Sequence, residues 1–77
     1  MPHVAIKMYP GHNDAEKQEL ADRVTAAIIE TLGHGAQSIS VGIEDVSPSQ
    51  WMKSVYAPEI EAKRKTLFKR PGYGPLA

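Results

Sequence analysis

Two short alternating stretches flank one long stretch with helical spacing, and that order restricts the fold more than any other feature of the chain. His3 to Tyr9 is the first. Val4, Ile6 and Met8 fall on one face, and His3, Ala5 and Lys7 fall on the other, which is the pattern of a half-buried strand. Pro10-Gly11 ends it, and Pro2 at its leading edge costs no ladder hydrogen bond. Asn13 is a good N-cap with Glu16 three residues on, and Asp14 and Glu16 suit the positive end of a helix dipole. Leu20, Val24, Ala27, Ile28 and Leu32 then recur at helical spacing, and Gly33 is a natural terminator. The spacing predicts an amphipathic helix over residues 14–32. Ser38 to Val46 alternates again, with Ile39, Val41 and Ile43 set against Ser38, Ser40, Gly42 and Glu44. Strand, helix and strand with short joints make a βαβ unit, with parallel strands and a right-handed crossover.

Beyond this unit the signals are shorter. Ser47-Pro48 reads as a helix start, with Gln50 closing a capping box, and predicts about two turns ending near Ser54. Ala57-Pro58-Glu59 reads as a second start. Ile60, Leu67 and Phe68 would share a face of that C-terminal helix, and Pro71-Gly72 would stop it. The fold class is therefore α/β (α+β): one βαβ unit, a short helix and a C-terminal helix. Seventy-seven residues make a single domain, 1–77. Two strands do not make a stable sheet alone, and a second copy of the chain is the expected partner for the exposed edges.

The chain holds no cysteine, which excludes disulfides, thiolate metal sites and cysteine nucleophiles. Nine basic and nine acidic residues balance to zero, which argues against a nucleic-acid partner. No apolar run spans a membrane, and MPHVAIKMYP lacks the features of a signal peptide, so a cytoplasmic protein is expected. His3, His12 and His34 have no ligand spacing, and the expectation is no metal, with all three at the surface. There is no GxSxG elbow and no phosphate-cradling glycine loop.

Pro2 directly follows Met1, and a small second residue favours removal of the initiator methionine. Trimming leaves a secondary amine on a rigid ring at the chain end. An α-amino group has a pKa of roughly 7.7–8.0. Proline's amine is more basic, so desolvation or nearby positive charge is needed to make it a general base at neutral pH. Trp51, the only tryptophan, is a candidate apolar wall. Among the cations Lys63, Arg64, Lys65, Lys69 and Arg70, a turn at Pro71-Gly72 makes Arg70 the candidate for holding an anion.

Together MPHVAIKMYP, SISVGIEDVSPSQW and KRPGY carry a resemblance to the 4-oxalocrotonate tautomerases, over almost the whole chain and nearest to their PptA-like, phenylpyruvate-enol branch. The resemblance implies a tautomerase-like fold whose sheet is extended by oligomerisation, as a homodimer, with a hexamer as the alternative. It also implies a cofactor-free keto–enol tautomerase in which Pro2, after loss of Met1, is the general base. The substrate would be a 2-oxo acid enol such as phenylenolpyruvate. Aligned on Pro2, the positions of the family's two substrate-binding arginines fall at His12 and Ser40, and the position of its aromatic wall falls at Trp51. With both guanidinium forks gone, a monoanionic enol is the better fit, held by a lysine or Arg70. The contrasting expectation is a non-catalytic oligomerising module that docks partners through its basic C-terminal helix.

Overall fold

The computed structural model describes all residues from Met1 to Ala77. The chain clusters into two compact units, Met1–Val46 and Ser47–Ala77.

The first unit is the βαβ motif. β1 (His3–Met8) pairs with β2 (Ser40–Asp45) in parallel, and α1 (Asp14–Leu32) is the crossover between them. α1 begins and ends where local chemistry dictates. The Asn13 side chain accepts from the Glu16 backbone N–H at 2.8 Å, and the Glu16 carboxylate accepts from the Asn13 N–H at 3.0 Å. At the other end Gly33 turns left-handed with φ 76°, and its N–H caps the Ile29 carbonyl.

The register aligns Val4 with Val41, Ile6 with Ile43, and Met8 with Asp45. Grooves lined jointly by Val4 with Val24 and Ile28, and by Val41 and Ile43 with Ala21, place this apolar row under α1. The opposite face pairs His3 with Ser40, Ala5 with Gly42, and Lys7 with Glu44. Parallel sheets are normally covered on both faces. Here α1 contains no fully buried residue, and neither strand contains one.

The strands are slightly shorter than the alternation predicts. β1 stops at Met8 rather than Tyr9. β2 starts at Ser40, because Ala36–Ser38 forms a 3₁₀ turn in which the Ser38 hydroxyl donates to the Gly35 carbonyl at 2.8 Å. That bond ties Ser38 to the turn.

The second unit corrects the sequence reading. Instead of two helices there is one continuous helical segment: an α-helical turn, α2 (Pro48–Trp51), runs directly into a π-helical stretch, Met52–Glu61. Pro48 does stand in the first turn, but the Ser47–Gln50 capping box is absent, and the Ser47 hydroxyl lies 3.3 Å from that of Ser49. Pro58 lies inside the helix rather than opening one. Proline has no N–H, and in an α-helix its ring crowds the carbonyl four residues back. The wider five-residue register continues past it, as in the 3.0 Å bond from the Ala62 N–H to the Ala57 carbonyl.

The C-terminal basic helix does not form. Arg64–Thr66 is a single 3₁₀ turn, Leu67 is extended, and Phe68 is fully exposed. A basic docking helix is therefore not a feature of this chain.

The only buried apolar side chains lie in the π-helical stretch. Val55 is 5% exposed and Tyr56 is wholly enclosed. The terminal arm closes on Tyr56. The Tyr56 hydroxyl donates to the Tyr73 carbonyl at 2.9 Å and accepts from the Leu76 N–H at 2.9 Å. The Tyr56 and Tyr73 rings meet edge to face, with centroids 5.2 Å apart. Gly74, at φ 71°, makes the turn possible: a Cβ there would stand 2.7 Å from Tyr56 Cζ. No helix is long and apolar enough to cross a membrane.

Candidate active site

Within the first unit, Pro2 sits just before β1 and is half-buried. The Ser40 N–H donates to the Pro2 carbonyl at 3.2 Å, which fixes the start of β2 against the start of the chain. Ser40 lies on the sheet face opposite α1. Its Oγ is 2.6 Å from Nδ1 of His3, its partner in the register. Pro2, His3 and Ser40 are thus gathered at one end of the sheet. His3 was expected only at the surface; the structure adds a specific partner. That pairing depends on the parallel register, which links residues 37 positions apart.

His12 stands elsewhere. It lines a cavity of about 210 Å³ with Met8, Glu16, Lys17 and Leu20. Met8 is at the far end of β1, six residues and about 20 Å along the strand from Pro2. The structure does not bring His12 to Pro2 within one chain. Its Nδ1 lies 3.6 Å from the Glu16 carboxylate, and both side chains are more than half exposed. The Glu16 carboxyl is held below its ordinary range, chiefly by the Asn13 N–H; desolvation opposes this, and the charge and hydrogen bond of His12 add to the lowering. Beside it, Lys17 Nζ donates to Asp45 at 3.0 Å and ties α1 to the end of β2.

The other two candidates belong to the second unit. Trp51 is the last residue of α2, where the α register gives way to the π register. Its indole N–H donates to the Tyr73 hydroxyl at 2.8 Å. Tyr73 is in turn fixed by Tyr56, so the terminal arm orients the tryptophan. Sequence reasoning missed Tyr73, whose only signal was its place between Pro71-Gly72 and Gly74. Arg70 is exposed, and its Nη2 donates to the Leu76 carbonyl at 3.2 Å, leaving the guanidinium further donors. No three His, Cys, Asp or Glu side chains cluster in a way that would hold a metal.

The family described as tautomerase enzyme matches residues 2–55, a span that starts at Pro2 and includes Ser40 and Trp51. A probable tautomerase of Xylella fastidiosa is 47% identical over 77 residues, covering 100% of this chain and 94% of its own. Tautomerase PptA of Cronobacter sakazakii is 39% identical over 74 residues, covering 95% of this chain and 97% of its own. Among solved structures, TomN, a 4-oxalocrotonate tautomerase homologue in the tomaymycin biosynthetic pathway, superposes with a TM-score of 0.62. It is 30% identical, over 65% of this chain and 77% of its own. YwhB, another 4-oxalocrotonate tautomerase homologue, gives a TM-score of 0.58 at 39% identity, over 60% and 75% of the two chains. With the βαβ unit, these likenesses establish that the chain belongs to the tautomerase family and is an enzyme of the 4-oxalocrotonate tautomerase type.

Proposed function

We propose that this chain is a cofactor-free keto–enol tautomerase for a monoanionic 2-oxo acid enol such as phenylenolpyruvate, with the Pro2 amine as general base. The observation that carries the reading is the place of Pro2: the first residue of the family match, at the leading end of β1. The nitrogen accepts the enol O–H proton and the resulting ammonium delivers a proton to C3, so the enol becomes the ketone with no net change in charge or oxidation level. One base that returns its proton is sufficient for this reaction. On this reading Trp51, from this copy or another, is the apolar wall that disfavours the protonated amine, and Ser40 and Arg70 are candidate donors toward the anionic substrate. His12 enters only as a contribution from a second copy, since it lies at the opposite end of β1.

The fold supports self-association. The βαβ unit covers its sheet on one side only and buries no side chain fully, so a homodimer or hexamer would complete the core that one copy lacks. The working unit on this reading is a single domain of 77 residues, acting in the cytoplasm on a small molecule.

The reaction requires loss of Met1, because a Met1–Pro2 peptide bond turns the base into an amide. Intact-mass measurement establishes which species is present. Trimmed protein should ketonise phenylenolpyruvate with a rate that rises through a basic limb near neutrality. Pro2→Ala, or a form that retains Met1, should lose most of that rate while keeping its circular dichroism. A Met1-retaining form as fast as the trimmed one would refute the role of Pro2.

A further inference from the structure

We propose that His3 and Ser40 act as one carboxylate-holding pair beside the chain-end amine, with the charge supplied by His3. The proposal rests on the reading of Pro2 as the base, and it names the group that holds the substrate's anionic end.

The geometry comes first. His3 and Ser40 face each other in the parallel register, with Nδ1 and Oγ 2.6 Å apart, and both side chains are exposed. The Ser40 N–H is bonded to the Pro2 carbonyl, so the pair stands at the strand end that carries the amine. The sheet face it occupies is the one α1 leaves uncovered.

The chemistry follows from what a 2.6 Å contact allows. With a neutral ring, the Ser40 O–H donates into Nδ1, and only the Nε2–H points away from the pair. With a protonated ring, Nδ1–H donates into Ser40 Oγ, and the serine proton is released to another acceptor. The pair then offers two outward donors, Nε2–H and Oγ–H, together with a positive charge. That set matches a carboxylate, and hydrogen bonds with an ionised partner are about twice as strong as neutral ones. Imidazoles as a class change charge between pH 5 and 8, so the pair is a stronger anchor at the acidic end of that range.

The charged groups sharing this face are few. Lys7 and Glu44 oppose each other in the register, four residues and about 13 Å along the strands, and their charges cancel. The Pro2 amine is the next group along the chain from His3 and is uncharged when it acts as the base, so it adds no standing charge to the pair. α1 packs on the other face.

Two measurements test the pair. The first uses unaltered trimmed protein with phenylacetate as the probe, following the His3 ring by NMR across pH. Saturating phenylacetate should move the His3 titration midpoint upward, and methyl phenylacetate should not. No movement with the acid, or equal movement with the ester, overturns the proposal. The second measures ketonisation of phenylenolpyruvate and its methyl ester. His3→Gln should raise KM for the acid about five- to tenfold at pH 6, with a smaller effect at pH 8 and kcat within about twofold. KM for the ester should stay unchanged, and Ser40→Arg in the His3→Gln background should restore the acid's KM. An unchanged KM for the acid at pH 6, or an equal loss with the ester, refutes the pair. The two readings fail separately: if Pro2→Ala turns over normally while phenylacetate still shifts His3, the base is wrong and the anchor stands.

Discussion

Tyr56→Phe is the most exacting test of how the second unit holds its candidate residues. The substitution keeps the ring, so no cavity opens and the contact with Tyr73 survives. Only the hydroxyl is lost, and with it the bond to the Tyr73 carbonyl and the bond from the Leu76 N–H, both 2.9 Å. Each such bond contributes about 1 kcal/mol net, and a polar group left buried without a partner costs about 1–3 kcal/mol. Tyr73 is 45% exposed, so water reaches the orphaned carbonyl and the cost stays near the lower bound. The expected loss is about 2 kcal/mol, from a total of about 4–12 kcal/mol for a chain of this length. Such a change lowers Tm by about 8–16 °C. It should also loosen Tyr73 and with it the Trp51 indole. Trp51 is the only tryptophan, so its fluorescence reports on this site alone. Urea unfolding at one fixed protomer concentration should show a lower midpoint with unchanged slope, and native-state emission should shift to the red. A midpoint within 0.5 kcal/mol of the parent, as an order-of-magnitude criterion, with unshifted emission would refute the latch.

Other substitutions separate the remaining contributions. Gly74→Ala combines a left-handed φ with a Cβ 2.7 Å from Tyr56, whereas Gly33→Ala meets nothing within 4 Å at φ 76°. Thermal melts should therefore show about 1 kcal/mol lost at Gly33 and about twice that or more at Gly74. Asn13→Ala removes one half of the capping box and should cost about 1 kcal/mol, read from the same melts. The Glu16 carboxyl is held below its ordinary range, so the folded state binds fewer protons there than the unfolded state. Its stabilisation is fully present above the ordinary carboxylate pKa and is lost as pH falls through the folded value. Glu16→Gln should flatten stability against pH on that acid limb and leave its shape above pH ~6 unchanged. Tyr73→Phe deletes the acceptor of the Trp51 N–H and should raise the pH of the basic limb of ketonisation; an unmoved limb would separate Tyr73 from the wall.

The first unit was legible because its signals are local. Asn13, Glu16 and Gly33 bound α1 through contacts within four residues, and the helix spans 14–32 as the spacing predicts. The parallel pairing follows from the short joints. The partner of His3 does not, because it depends on which strand residues stand opposite each other. One residue of slip would have set His3 against a residue of the other face. The same slip would have taken Ser40 away from Pro2.

The second unit was misread because its signals conflict. Pro58 looks like a helix start to any local rule, since proline is favoured in a first turn and disfavoured in an interior. What keeps the helix going is Tyr56, two residues earlier, which is fully enclosed only if the segment continues and the chain returns to cover it. A return of seventeen residues brings Tyr73 over the ring, and the turn at Gly74 lets Leu76 reach the hydroxyl. The π register is rare and recurs at functional sites. Here it begins immediately after Trp51, so the tryptophan closes the regular helix and its indole N–H is aimed at the returning Tyr73. Shortening the arm before Tyr73 should therefore disturb Trp51 more than any change within α2 itself. Deleting residues 73–77 should give the same red-shifted emission as Tyr56→Phe with a larger loss of stability. A truncated chain with native emission would show that α2 alone orients the indole.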